Sequence, residues 1–230
     1  MRALVMIHPP EIGPALAAGL KDASSEIRKV ASAGLMKAAA IPPEVVPGLT
    51  DALRDPEVQV RANAAHALAR LDVLPADSVA ALIDCASYPR DDLRMNATLA
   101  LCKASAGRAS EVFAQRIGDP NPRIRLIAAR FLLTQDPGNA EATAVVTAAL
   151  VDPVQRLRKS AIDLIDSLGP QGAGWGDALK QQSLLEEEPA LRDALTRLIE
   201  RLDSEAIPET PINVKAEGLA ETLPRYDTVS

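Results

Sequence analysis

Imidazole and thiol groups, the softer ligands and nucleophiles, are few in this chain: two histidines and two cysteines. His8 and His66 have no Glu or Cys at metal-ligand spacing, and zinc or iron sites need several such groups to converge. Cys85 and Cys102 form no CxxC pair. No histidine is placed to activate Cys102, which reads as a buried, inert thiol. The segment Gly169-Pro170-Gln171-Gly172-Ala173-Gly174-Trp175-Gly176 is glycine-rich and precedes a helix. A phosphate cradle, however, needs a strand before it and a GxGxxG or GxxxxGK[ST] pattern. Both are missing, so the segment is expected to be a flexible loop. Glu186-Glu187-Glu188 is a carboxylate run that a solvated turn explains. No catalytic residue, cofactor site or metal site is therefore predicted, and the chain is expected not to be an enzyme.

Composition narrows the classes further. Apolar residues are 47% of the 230, but aromatics only 2%, so the core must be built from Ala, Leu, Val and Ile. Such residues favour helix and let helices approach closely. The net charge is −6. A nucleic-acid groove needs clustered Lys and Arg, so nucleic acid is not an expected partner. No stretch approaches the roughly 18–20 apolar residues of a membrane span. Met1–Ile7 is too short for a signal-peptide core, and the cytoplasm is the expected location.

What positions the side chains is a repeat. An arginine returns six times after a β-branched or leucine residue, at 28, 61, 94, 125, 158 and 192, in steps of 33, 33, 31, 33 and 34. A fixed period of this size marks a solenoid whose units pack on their neighbours. Six residues before the arginine stand Asp22, Asp55, Asp119 and Asp152, with Tyr88 in the third copy and Glu186 in the sixth. Proline follows three of the aspartates, which predicts a turn and a capped helix start. Before the turn, pairs such as Leu49 and Leu53 follow helical spacing. After it, Val60, Ala64, Ala67, Leu68 and Leu71 mark a one-faced helix. Six helix–turn–helix units are predicted, at about 11–40, 42–73, 75–107, 109–137, 139–171 and 174–202.

This unit resembles the HEAT repeat, and its short alanine-rich copies resemble phycobilisome-lyase-type HEAT-like repeats. The resemblance covers about residues 11–202. It implies an all-α, right-handed solenoid with an Asp–Arg ladder. By match, Asp22, Asp55, Asp119 and Asp152 join Arg28, Arg61, Arg94, Arg125, Arg158 and Arg192 in that ladder. Tyr88 is expected to interrupt it. The sixth unit departs from the pattern, with Glu186, a helix-breaking Gly-Trp-Gly entry and Lys180 at a usual core position, as suits a polar cap. One HEAT-like enzyme, deoxyhypusine hydroxylase, holds iron with repeated His-Glu pairs that this chain lacks. The basic, aromatic-lined face of the DNA-alkylation glycosylases is missing as well.

Two ends fall outside the array. Ala3-Leu4 and Ile7 before Pro9-Pro10 match Ala67-Leu68 and Leu71 before Pro75. Residues 1–10 thus read as half a repeat, either a natural cap or the end of a longer array. Residues 203–230 carry six acids against two bases and three prolines. They read as an acidic tail or linker, with a short helix near 214–222, that could fold back on Lys29, Arg70 and Lys103.

In such an array the second helices line the concave side. Positions one, five and eight after each arginine should face outward. In the third and fourth units these are Met95, Leu99, Cys102, Leu126, Arg130 and Leu133, apolar around one arginine. A contiguous apolar patch marks a contact surface. The expected function is a non-enzymatic scaffold or adaptor that docks an apolar helix or tail of a protein partner. Two alternatives stand: a bilin-lyase-type subunit or chromophore-handling protein, and a regulatory segment of a larger signalling protein.

Overall fold

The computed structural model describes residues 12–104 and 106–205. The expected half-repeat over 1–10, His8, and the expected helix near 214–222 lie outside the described residues.

Twelve α-helices and no strand make up what is described, in six antiparallel pairs. The pairs are α1 (Ile12–Leu20) with α2 (Ser25–Lys37), α3 (Val46–Ala52) with α4 (Val58–Ala69), and α5 (Val79–Ala86) with α6 (Asp91–Leu101). They continue as α7 (Ala106–Arg116) with α8 (Pro122–Gln135), α9 (Ala140–Leu150) with α10 (Gln155–Ser167), and α11 (Gly176–Leu185) with α12 (Pro189–Glu205). The helix α12 runs to Glu205, so the array takes in the first three residues assigned to the tail.

One core threads all six pairs. Leu35, Leu49, Leu68, Leu82, Leu93, Leu101, Ile124, Leu150 and Ile165 are fully buried. Burying one such side chain stabilises the fold by about 1.5–3 kcal/mol. Alanines at 64, 67, 97 and 100 are also fully buried, and their small size is what lets α2, α4 and α6 lie tightly side by side. Phe113 and Phe131 stack with ring centroids 3.9 Å apart and join α7 to α8. The stack loosens after α6, and α7 and α9 barely touch.

The turns correct the expected capping. Asp22, Asp55, Asp119 and Asp152 accept from the backbone N–H two residues on, at 2.7–2.9 Å. They close the turn, and the helix starts three residues after the aspartate. The prolines at 56, 120 and 153 sit in the turn as well, ahead of the first helical residue.

The glycine-rich segment is an ordered 3-10 run, Gly169–Trp175, rather than a flexible loop. Gly169 opens it with φ 59°, a conformation that glycine adopts without strain. Gly172 is buried, and a Cβ there would lie 2.9 Å from the Ile165 carbonyl. Trp175 is buried and donates Nε1–H to Thr147 Oγ1 at 3.1 Å, which fixes the run against α9. Lys180 is exposed, and Leu179 beside it fills the core.

Candidate functional site

The register of each second helix is set by the arginines. Arg28, Arg61, Arg94, Arg125 and Arg158 each donate Nη1–H to the carbonyls five and six residues back, at 2.6–3.2 Å. This ties every second helix to its own turn. The rest of the guanidinium reaches forward to the next repeat. Arg28 grips Asp55 with two bonds of 2.7 and 3.2 Å. Arg94 grips Asp119 at 2.7 and 3.1 Å. Arg158 grips Glu186 at 2.8 and 2.8 Å.

Two rungs differ from expectation. Glu186 is no solvated acid. It is 2% exposed and takes the aspartate's place, its longer side chain still reaching Arg158. Hydrogen bonds from Arg158 hold its carboxyl down at about 2 against the opposing cost of burial. Burial likewise opposes ionisation of Asp119, but the Arg94 guanidinium and the Asn121 amide outweigh it and hold that carboxyl below its ordinary value. Tyr88 does not simply break the ladder: the Arg61 guanidinium lies over its ring, 4.7 Å from the centroid.

The missing rung is elsewhere. Arg125 and Asp152 share no ion pair among the described residues. Between them lies an open groove of about 340 Å³ lined by Gly118, Pro122, Ala144 and Ala148, where α7 and α9 diverge. The carboxylate of Asp22, first in the array, receives no arginine within the described residues. Arg192 bonds only the Glu186 carbonyl.

With the register fixed, each second helix shows three stripes. Asn63 donates to Ser32 Oγ at 3.1 Å and Asn96 to the Ala62 carbonyl at 3.2 Å, both in the preceding repeat. The side that contains positions two and six after the arginine therefore faces backward. Positions one and four face forward. This corrects the expected outward face. Leu126 and Leu133, one and eight residues after Arg125, are 5% and 1% exposed and pack in the seam. Position five alone stays open along the array: Ala33 and His66 are half-buried, and Leu99, Arg130, Asp163 and Arg197 are exposed.

Within that row Leu99 is 44% exposed. Met95, one turn earlier on α6, and Cys102, the residue that caps its C-terminus, are half-buried. Burial pushes the Cys102 thiol up to about 11, and the positive charges of Arg130 and Lys103 oppose that shift. Arg130, on the neighbouring helix α8, is exposed and has no ion-pair partner among the described residues. At neutral pH Cys102 is a thiol and not a nucleophile. Four of the six expected contact residues, Met95, Leu99, Cys102 and Arg130, are thus brought together at the surface.

A second row escaped the sequence reading. Nine residues after the repeat arginine, Arg70 donates to the carbonyls of Met36, Ala38 and Ala39 at 2.5–3.1 Å, at the end of α2. Lys103 does the same to the Leu71 carbonyl after α4, and Arg201 to Asp166 at the end of α10. The signal was a base at a constant offset, in units one, two, three and six. Lys29, in turn, pairs with Glu26 and Glu57. All three bases proposed as a seat for the acidic tail thus already have partners.

Residues 13–102 match the family model described as HEAT repeats. The remaining pairs continue the same helix–turn–helix architecture, and solved structures share this fold across most of the chain. The complex of CpcE and CpcF of phycocyanin lyase from Nostoc sp. PCC7120 is 23% identical, over 84% of this chain and 81% of that one, with TM-score 0.54. The archaeal HEAT-like repeats protein from Thermococcus onnurineus NA1 is 14% identical, over 88% and 95%, with TM-score 0.52. A designed armadillo repeat protein in complex with the peptide (KR)4 is 14% identical, over 84% and 99%, with TM-score 0.56. No curated protein matches the chain in sequence. These likenesses show the fold, a helical repeat array. No helix among the described residues is long and apolar enough to cross a membrane.

Proposed function

We propose that this HEAT array is a non-enzymatic scaffold that holds a segment of a protein partner against α6 and α8. The partner places an apolar side chain on Leu99 and Met95 and an acidic one against Arg130. The observation that carries this reading is Leu99, 44% exposed in a row whose other exposed members are charged. An apolar centre beside an unpaired arginine is how interface hot spots are built. The likeness to a designed repeat protein that binds a peptide supports a peptide-like partner in general. The acid against Arg130 follows from charge complementarity at this face.

Selection of displayed peptides on the immobilised full chain tests this. Enriched sequences should pair an apolar residue with Asp or Glu. Their binding should be lost in Leu99→Glu and weakened at least about tenfold in Arg130→Glu, both with an unchanged unfolding midpoint. Selection that enriches peptides indifferent to both substitutions contradicts the reading. The likeness to the phycocyanin lyase complex favours a second reading, a chromophore-handling subunit. That reading requires the purified chain to bind an added bilin and take on its visible absorbance.

A further inference from the structure

Asp55, Asp119 and Glu186 hold the same place in their repeats as Asp152, and each takes a guanidinium side-on through Nε and Nη2. Between the fourth and fifth repeats both halves of that bond are present and do not meet. Arg125 uses only Nη1, on the carbonyls of Asp119 and Pro120. Asp152 uses only Oδ1, which accepts from the Val154 amide. Among the described residues the Nε–Nη2 edge of Arg125 and the second carboxylate oxygen of Asp152 have no partner. Both side chains are half-buried, and both line the groove of about 340 Å³ between α8 and α9.

The groove between these two charges is apolar. Ile117, Leu126 and Ala149 are buried in it, and Ala144 and Ala148 present only methyl groups to the opening. A Cβ on Gly118 would meet nothing within 4 Å. Such a volume is at the small end of ligand-sized clefts: it takes a few side chains and no whole helix. Glu141, exposed at the start of α9, adds a second acid to the lining.

We infer that this groove is a second docking site, for a segment of a protein partner that carries an acid and a base on either side of an apolar residue. The acid takes the Nε–Nη2 edge of Arg125 as Asp119 takes that of Arg94, a geometry suited to a carboxylate. The base takes Asp152 as Arg28 takes Asp55. The apolar side chain lies on Ala144 and Ala148. Charge complementarity selects this occupant: a purely acidic segment would meet Asp152 and Glu141, and a purely basic one would meet Arg125. The groove shares no residue with the Leu99–Arg130 face, so the two readings can fail separately.

The test selects displayed peptides on the immobilised full chain carrying Leu99→Glu, which removes the α6 face. Enriched sequences should hold an acid and a base with an apolar residue between them. A synthetic peptide of the enriched sequence is then titrated by calorimetry. Its affinity should fall at least about tenfold on Arg125→Gln and on Asp152→Asn; Asn keeps the acceptor that closes the turn. Replacing the peptide's acid with Gln should cost little more once Arg125→Gln is in place, and the same holds for its base with Asp152→Asn. Ala148→Trp fills the groove without touching either charge, and it should abolish binding with an unchanged unfolding midpoint. No enrichment, strict additivity between Arg125 and the peptide's acid, or undiminished binding to Ala148→Trp overturns the inference.

Discussion

Arg94 and Arg125 hold the same place in successive repeats, yet only one has a carboxylate in its grip. Arg94 and Asp119 are 5% and 3% exposed, and removing one member of a buried pair strands the other. Arg94→Ala should therefore cost about 3–5 kcal/mol. Arg125→Ala loses only the bonds to its own turn and should cost about 1 kcal/mol. Chemical denaturation of the two variants checks the contrast, and equal costs would mean that the rung beyond Arg125 closes in solution. Glu186 gives the ladder a pH signature. Its carboxyl titrates at about 2 in the fold against an ordinary 4.5, so the unfolded chain takes up its proton first as pH falls. The rung's contribution is full above about pH 4.5 and is lost as pH falls through 2. Glu186→Gln should flatten the unfolding midpoint across that window, and an unchanged slope would remove Glu186 from the ladder.

Regular helix pairs are written plainly in the sequence because period and apolar spacing are local properties. Val60, Ala64, Ala67 and Leu68 predict their own burial. What the sequence hides is set by neighbours distant in the chain. Leu126 and Leu133 look outward on an isolated helix, but both are buried in the assembled array. Glu186 reads as a solvated acid until Arg158, 28 residues earlier, is brought to it. The glycines before α11 suggest a loop because glycine marks flexibility and close approach alike. Here the close approach decides. Gly172 lies so near the Ile165 carbonyl that Gly172→Ala should cost about 1–3 kcal/mol. Gly174→Ala, whose Cβ meets nothing within 4 Å, should leave the thermal midpoint within a few degrees of wild type. Equal effects of the two substitutions would mean that the run is not packed as described.

At the scale of the whole molecule the array is uneven. Its first three second helices are tightly stacked, and its later repeats open at the Arg125–Asp152 gap. Leu99 on α6 and Arg130 on α8 stand at the junction of the tight and open parts. The face was half legible beforehand: the register of the arginines located Leu99 and Arg130, and the seams between repeats took Leu126 and Leu133 out of it. The most direct measurement replaces Leu99 with a photoreactive phenylalanine in the cells that make this protein. Val73, 80% exposed on the connector after α4, is replaced in the same way as a control. Light should yield a discrete covalent adduct to a protein partner from position 99 and none from position 73. No adduct at 99, or the same adducts at both positions, would contradict a binding face on α6 and α8.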